Sequence, residues 1–225
     1  NLNSFKVMKN PDRLLAEKLL QISAIKLQPQ NPFVWASGWN SPIYNDNRRL
    51  LSYPDIRSFV KVELSRIILE NFPEADAIAG VATGAIAIGA LVADTLGLPY
   101  VYVRSTPKDH GLENMIEGNL KPGRKVVVIE DLVSTGGSSL KAVEVIRNSG
   151  CEVAGMTAIF SYEFPMAVKR FRDANVHLVP LCTYSTMLEV AEATSYIQPS
   201  EALTLQEWRK DPANWTPSPL NHSPL

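Results

Sequence analysis

The chain has 225 residues, 45% of them hydrophobic, and a formal net charge of −1. This length and composition predict one sizeable globular domain, with or without an appendage, and the charge argues against a broad nucleic-acid-binding surface. Two cysteines are too few for a disulfide framework, and no apolar run is long enough to cross a bilayer. We therefore expect a cytoplasmic protein that has neither a membrane nor a nucleic acid as its partner.

The N-terminal part of the chain predicts one helix followed by irregular structure. Apolar residues recur at helical spacing over residues 14–25, shortly after Pro11. Residues 28–49 are rich in Pro, Asn, Ser and Trp, which favours loops with short strands near 33–35 and 42–44. Because this part lacks the pattern of the rest, we expect residues 1–51 to form a small N-terminal hood.

From residue 52 onwards, strand and helix patterns alternate. A helix is predicted to open at Pro54, with Ile56, Val60 and Leu64 facing inward. The remaining predictions are strands at 77–81, 100–103, 125–130, 153–160 and 176–179, and helices at 85–96, 140–147, 166–172 and 201–209. This alternation predicts an α/β core over residues 52–210 with a mostly parallel sheet flanked by helices, and a loose tail at 211–225. Ligands of such sheets bind beyond the carboxyl ends of the strands.

The first polar site follows the predicted strand at 77–81. The run Gly80-Val81-Ala82-Thr83-Gly84-Ala85 has a glycine near each end, so its backbone N–H groups can approach an anion closely. The spacing fits neither a Walker loop nor a dinucleotide fingerprint. Taken alone, the run is equally compatible with a plain strand-to-helix turn.

A long polar segment, residues 104–123, follows the next strand. Arg104, Lys108 and His110 place three potential cations within seven residues, which suits the binding of a diphosphate. Loops of this length are usually functional or disordered, and a solvated surface loop is the alternative.

The most informative stretch lies at residues 126–139. An apolar run ends in Glu130 and Asp131, and the small, polar segment 134–138 leads directly into a helical pattern. We interpret this as a buried strand, a carboxylate pair and a phosphate-binding loop at a helix N-terminus. A phosphorylated sugar fits such a site, because carboxylates accept hydrogen bonds from a diol, and Mg²⁺ fits beside the acids. The alternative is a strand end with solvated acids and a helix capped by Ser or Thr.

This order of residues resembles the phosphoribosyl-diphosphate signature of type I phosphoribosyltransferases. The resemblance implies the fold of that family and Mg²⁺ as the cofactor, which Asp131 would contact only through the substrate. It also implies that Glu130 and Asp131 bind the ribose hydroxyls and that Thr83 and Gly84 bind the diphosphate. The residues that it places at the 5′-phosphate are Ser134, Thr135, Gly136, Gly137 and Ser138, and Leu132 and Val133 are expected to contact phosphoribosyl diphosphate as well.

Residues 104–111 resemble the catalytic loop of the orotate branch of this family, which has the pattern Arg-Lys-x-x-Lys-x-His-Gly. The resemblance implies that Arg104, Lys108 and His110 are catalytic and bind phosphoribosyl diphosphate. It further implies a homodimer, because the loop closes over the neighbouring subunit's active site. Ser105 departs from the pattern, since it stands where the family has its first Lys.

Residues 37–44 resemble the segment Ser-Gly-x-x-Ser-Pro-x-Tyr that borders the base pocket in the orotate branch. The resemblance implies that Ser37, Tyr44 and Ser134 contact orotate. Two positions depart from the family: Ala36 replaces a common Lys, and Tyr162 stands where an Arg helps to hold orotate.

Together the resemblances imply the transfer of a phosphoribosyl group from phosphoribosyl diphosphate to orotate. The products would be orotidine 5′-monophosphate and diphosphate, in pyrimidine (UMP) biosynthesis. Two alternatives remain: a phosphoribosyltransferase for a purine base, and a regulatory protein that senses phosphoribosyl diphosphate. The regulator is disfavoured because the N-terminal helix has no basic face: Arg13, Lys18 and Lys26 stand against Asp12 and Glu17.

Overall fold

The computed structural model describes residues 10–107 and 115–217. The helices in this part of the chain are α1 (Pro11–Gln21), α2 (Pro54–Asn71), α3 (Ile86–Leu96), α4 (Gly137–Asn148), α5 (Pro165–Asp173), α6 (Tyr184–Ala193) and α7 (Pro199–Lys210). A 3₁₀ helix, Asn47–Ser52, precedes α2. No helix within the described ranges is both long and apolar enough to cross a membrane.

Six strands form the central sheet, and four shorter strands precede it. The short strands are β1 (Ile25–Leu27), β2 (Phe33–Val34), β3 (Asn40–Ser41) and β4 (Ile43–Asn45). The sheet strands are β5 (Ala77–Val81), β6 (Tyr100–Val103), β7 (Ile116–Glu117), β8 (Lys125–Val133), β9 (Glu152–Ser161) and β10 (Leu178–Thr183). Their order across the sheet is β10-β9-β8-β5-β6-β7, and all pairs are parallel except the antiparallel pair β6 and β7.

The central strands are apolar over most of their length because both faces of the sheet are covered. In β8, Val127 and Ile129 face a core that contains residues of α1, α2, α3, α6 and α7. The alternate residues Val126 and Val128 face a second core, formed with α4 and with Phe171 of α5. Successive strand residues point to opposite faces, so one apolar run supplies both cores.

The N-terminal region packs on the core through aromatic side chains. β1 pairs with β4 and β2 with β3, both antiparallel, which gives two small ribbons. The Trp35 ring lies edge-on to Trp208 at 5.4 Å, and the Trp208 indole N–H donates to the Asn40 carbonyl at 3.0 Å. Tyr162 stacks on Phe164 with ring centroids 5.1 Å apart. These contacts fix the position of the ribbons over the carboxyl edge of the sheet.

The predicted α/β class and the mostly parallel sheet flanked by helices are confirmed. Several details were wrong, and the two-residue strand β7 lies in the segment predicted as a loop. The helix predicted at 14–25 ends at Gln21, and Ile25 begins β1; the strand predicted at 125–130 continues to Val133. The strand predicted at 176–179 lies at Leu178–Thr183, and α6 was missed. The boundaries proposed for the hood, core and tail stay predictions, although Trp215 packs against the core.

Candidate active site

Three neighbouring strands bring the predicted site residues to one edge of the sheet. β5 lies between β6 and β8, with Val81 paired to Val103 and Gly80 paired to Ile129. The residues that follow each pair are therefore adjacent in space. This register places the 82–85 turn, Arg104 and the acid pair at the same carboxyl edge, where ligands of parallel sheets bind.

Glu130 is buried, with 4% of its surface exposed. Its Oε2 accepts a hydrogen bond from the Ser139 hydroxyl at 2.8 Å, and its Oε1 accepts one from the Asp131 backbone N–H at 3.0 Å. Burial raises the pKa of this carboxyl well above its ordinary value, and the adjacent Asp131 carboxyl adds to the rise. Glu130 therefore joins β8 to the first turn of α4, and burial favours its protonated form.

We expect Glu130→Gln to remove a pH dependence of stability. Because the folded pKa of Glu130 is raised, the folded state binds more protons than the unfolded state above the ordinary value of 4.5. The contribution of Glu130 to the free energy of unfolding should therefore fall as pH rises from 4.5 towards neutral. Gln keeps an acceptor for the Asp131 N–H and does not titrate. In urea unfolding at a series of pH values, the stability of the variant relative to the native chain should rise with pH.

The exposed Glu144→Gln variant, on the outer face of α4, is the matched control for the loss of one carboxylate. A stability difference for Glu130→Gln that stays constant across this pH range would contradict the assignment.

Asp131 lies against the 82–85 turn. A Cβ atom added to Gly84 would overlap the Asp131 carboxylate, so only glycine leaves room for this approach. From the other side, the Asn47 side-chain amide donates to the Asp131 backbone carbonyl at 2.8 Å. The peptide bond between Ala82 and Thr83 is cis. Asp131, which precedes the predicted phosphate-binding turn, therefore connects that turn to the 82–85 turn, the other segment predicted to bind an anion.

The predicted phosphate-binding loop is shorter than expected. Leu132 and Val133 belong to β8, and Gly137 begins α4, which leaves Ser134, Thr135 and Gly136 as the turn. Gly136 has φ +82°, a left-handed conformation that favours glycine. The free N–H groups of the α4 N-terminus, including that of Ser138, face this turn, where the helix dipole favours an anion. The Arg170 side chain of α5 donates to the Thr135 carbonyl at 2.9 Å and holds the turn from outside.

A cavity of about 380 Å³ adjoins this turn. Its lining residues are Val34, Trp35, Ala36, Ser37, Tyr44, Asn45, Leu132, Ser134 and Tyr162. Ser37, Tyr44 and Ser134, the residues predicted to contact a base, therefore share one cavity. Ala36 and Tyr162, the two departures near the base pocket, border the cavity as well, and none of its described lining residues carries a positive charge. Burial raises the pKa of Tyr162, which keeps its hydroxyl protonated.

Arg104 lies at the start of the predicted catalytic segment. Its backbone N–H donates to the Met115 carbonyl at 2.7 Å, and its guanidinium contacts Glu117 at 3.2 Å and the Thr106 carbonyl at 3.2 Å. These bonds bring together the two sides of the segment at its base. Lys108 and His110 lie outside the described residues.

Four polar residues of the site escaped the sequence prediction: Asn45, Asn47, Ser139 and Arg170. Ser139 immediately follows the predicted loop, and its position one turn into α4 could have suggested a bond to the acid pair. Asn45 and Asn47 follow the Tyr44 segment and carried only a weak signal as polar residues in a Pro-containing stretch. Arg170 gave no signal, because its contact with Thr135 depends on how α5 packs.

The described residues contain no cluster of three or more His, Cys, Asp or Glu side chains suited to bind a metal ion. At the acid pair, Glu130 bonds within the protein and Asp131 remains partly exposed. Mg²⁺ commonly binds through one or two carboxylates together with substrate phosphates and water. The site therefore fits a metal ion that the substrate brings, with Asp131 beside it.

An acid pair, a glycine turn and a helix N-terminus at one sheet edge define a type I phosphoribosyltransferase. In agreement, the family model described as phosphoribosyl transferase domain matches residues 60–178. An orotate phosphoribosyltransferase from Bacteroides fragilis is 67% identical over 208 residues, which cover 92% of this chain and 98% of that protein.

Two solved structures are similar as well. The orotate phosphoribosyltransferase from Aeropyrum pernix is 31% identical with a TM-score of 0.72, over 82% of this chain and 99% of that one. The UMP synthase from Leishmania donovani is 27% identical with a TM-score of 0.74, over 88% of this chain. This chain covers 42% of that longer protein. The chain belongs to the orotate phosphoribosyltransferase family.

Proposed function

We propose that the protein transfers the 5-phosphoribosyl group of phosphoribosyl diphosphate to orotate, as a step in pyrimidine biosynthesis. The 67% identity to a curated orotate phosphoribosyltransferase, over nearly the whole of both chains, carries this proposal. The geometry supports it, because a cavity for a planar base adjoins a turn suited to a phosphate and a carboxylate suited to a diol.

Each part of the donor substrate has a matching part of the site. The 5′-phosphate would bind the turn at Ser134, Thr135 and Gly136, together with the N–H groups that begin α4. The ribose hydroxyls would donate to the carboxylate of Asp131, with Glu130 behind it. The diphosphate would lie at Thr83 and Gly84, because this turn and Asp131 are in contact. The base would then occupy the cavity at Ser37, Tyr44 and Ser134.

The reaction breaks the bond between C1′ and the diphosphate oxygen and forms a bond between C1′ and orotate N1, and the N1 proton is released to the diphosphate or to solvent. Positive charge develops on the ribose ring as diphosphate leaves, so the protein contributes positioning and charge stabilisation rather than a nucleophile. The Asp131 carboxylate lies where it would orient the hydroxyls and stabilise this charge. Arg104, Lys108 and His110 would stabilise the negative charge of the departing diphosphate.

We include Mg²⁺ in this proposal, held by the substrate and adjacent to Asp131. When bound, the ion would offset the negative charge of the diphosphate. The partly exposed Asp131 carboxylate, combined with the lack of a protein-only metal cluster among the described residues, supports this indirect arrangement.

We also propose a cytoplasmic homodimer. The resemblance of residues 104–111 to a loop that closes over a neighbouring subunit supports the dimer. Cys151 and Cys182 are both free and buried, which suits a reducing compartment.

A base-consumption assay tests the proposed function. The protein is mixed with phosphoribosyl diphosphate, Mg²⁺ and either orotate or a purine base, and the loss of each base is followed. We expect orotate to be consumed only when phosphoribosyl diphosphate is present, with stoichiometric release of diphosphate. Faster consumption of a purine, or no consumption of orotate, would overturn the proposal.

A further inference from the structure

Helix α5 supports the phosphate-binding turn between β8 and α4 from outside. The Nη1 of Arg170 donates to the Thr135 backbone carbonyl at 2.9 Å. The neighbouring Phe171 is buried and lies against Gly136, where an added Cβ would come within 3.0 Å of the ring. The Nη1 of Arg170 also lies 4.0 Å from the position that a Cβ on Gly137 would take. α5 therefore packs directly on the turn and on the start of the helix that follows it.

The bond from Arg170 fixes the orientation of one peptide unit. The peptide between Thr135 and Gly136 is trans, so its carbonyl oxygen and its N–H point in opposite directions. Because the Thr135 carbonyl points to α5, the Gly136 N–H points away from α5. This N–H has no hydrogen-bond acceptor among the described residues. It therefore adds one donor to the free N–H groups at the start of α4.

A turn built on a glycine needs such a restraint. Gly136 has φ +82°, and glycine adopts positive and negative φ about equally readily. A rotation of the peptide that precedes it would exchange the positions of the carbonyl oxygen and the N–H, and would turn an acceptor towards an anion. The guanidinium of Arg170 has donors and no acceptor. It therefore stabilises only the orientation in which the Thr135 carbonyl faces α5.

The charge of Arg170 also favours an anion at this turn. The positive end of a helix dipole lies at the N-terminus, so a nearby cation is unfavourable there unless an anion binds. Arg170 lies beside Gly137, the first residue of α4. A phosphate bound at the same end of the helix would offset both positive charges.

We propose that Arg170 is a positioning residue for the 5′-phosphate, because it holds the Thr135–Gly136 peptide so that the Gly136 N–H donates to the phosphate. Arg170 acts through this peptide and does not touch the substrate. The inference rests on the proposed function in one respect, namely that this turn binds the 5′-phosphate of the donor. It adds a residue outside the motif that sets the affinity for that phosphate.

Arg170→Met tests the proposal, because Met keeps an unbranched side chain and removes both the donor and the charge. We expect the KM for phosphoribosyl diphosphate to rise about tenfold, the scale for the loss of one hydrogen bond to a charged group. The kcat should stay within about twofold, since the 5′-phosphate makes the same contacts in the ground state and in the transition state. The KM for orotate, measured at saturating phosphoribosyl diphosphate, should be unchanged.

Two ligands probe the two ends of the donor site by calorimetry. Ribose 5-phosphate reports on the turn that follows β8, and inorganic diphosphate reports on the 82–85 turn. Arg170→Met should raise the Kd of ribose 5-phosphate about tenfold and leave the Kd of diphosphate unchanged. Arg172→Met, the matched control, removes the same charge from a side chain of α5 that is 74% exposed, and it should change neither Kd.

Arg170→Lys is the conservative variant. Lys keeps the charge and can donate one hydrogen bond to the Thr135 carbonyl, so the Kd of ribose 5-phosphate should stay within about threefold of the native value. Equal Kd values for ribose 5-phosphate in Arg170→Met and Arg172→Met would overturn the inference. A lowered Tm of Arg170→Met with equal rises in both Kd values would also overturn it, because that is the result of a general structural role.

The binding measurements need no transfer to orotate, so the inference and the proposed function can fail separately. A native chain that binds ribose 5-phosphate with the expected dependence on Arg170, and that does not consume orotate, would overturn the proposed function alone. A native chain that consumes orotate, with no effect of Arg170→Met on ribose 5-phosphate binding, would overturn this inference alone.

Discussion

Asp131→Asn is expected to lower kcat/KM for phosphoribosyl diphosphate by about 100- to 1,000-fold, the scale for removing one preorganised charge-stabilising group. The Asp131 carboxylate is partly exposed and contacts the Gly84 turn, whereas the Glu130 carboxylate is buried and bonded within the protein. Asn keeps the shape of Asp131. It loses the negative charge that would accept two ribose hydroxyls and stabilise the positively charged ring.

Steady-state kinetics with either substrate varied provide the measurement. The loss should be mainly in kcat, because the charge on the ribose develops in the transition state. The Tm should not fall, since Asp131 is partly exposed and its carboxyl disfavours the charged form of the adjacent, buried Glu130. Asp94→Asn, the same change at an exposed position on α3, is the control. Equal kinetics for Asp131→Asn and Asp94→Asn would exclude Asp131 from the reaction.

The sequence was most informative where local pattern and tertiary packing agree. Within the strand predicted at 125–130, residues 126–129 are all apolar, as expected of a strand covered on both faces, and they form the centre of β8. Its continuation to Val133 was missed because Glu130 and Asp131 interrupt the apolar run. Pairing with β9, where Val133 lies opposite Ser161, extends the strand in spite of the two charges.

The helix α6 is an element in which tertiary packing stabilises a structure that the local sequence pattern does not predict. It begins at Tyr184 and continues with Ser185 and Thr186, residues with little intrinsic preference for a helix. The Thr183 side chain caps it by accepting a hydrogen bond from the Thr186 N–H, and burial of Met187 against the core stabilises it. These contacts depend on the position of β10 and α1, so local pattern could not reveal them.

The site was predictable in its chemistry and less so in its geometry. The motifs and the family resemblance placed Ser37 and Ser134 at the base, and both line one cavity. By contrast, only the three-dimensional structure shows that the side-chain amide of Asn45 is buried without a hydrogen-bond partner among the described residues. The close approach of Asp131 to Gly84 likewise depends on the register between β5 and β8.

Gly84→Ala is expected to lower kcat/KM by about 100-fold and to destabilise the fold by about 1–3 kcal/mol, as overpacking typically does. The added Cβ would overlap the Asp131 carboxylate, so either the carboxylate or the turn must move. Both are parts of the proposed donor site, and a displacement of about 1 Å there is enough to cost about 100-fold. Kinetics and urea unfolding measure the two effects separately.

Gly155→Ala is the matched control for steric strain alone. Its added Cβ would overlap the Phe72 ring, beneath the sheet and away from the carboxyl edge. We expect it to lower stability while leaving the KM for phosphoribosyl diphosphate unchanged. A raised KM in Gly155→Ala as well would mean that overpacking of the sheet, and not the Asp131 contact, disturbs the site.

A double-mutant cycle isolates the contact between Gly84 and Asp131. In an Asp131→Ala background the carboxylate is absent, so Gly84→Ala should destabilise the fold far less than in the native background. Residues in direct contact typically show interaction energies of about 0.5–3 kcal/mol. Here Asp131→Ala should reduce the stability that Gly84→Ala costs, because it removes the carboxylate that the added Cβ would overlap. If the two stability losses simply add, the turn and the acid pair are independent, and the account of the donor site as one connected unit fails.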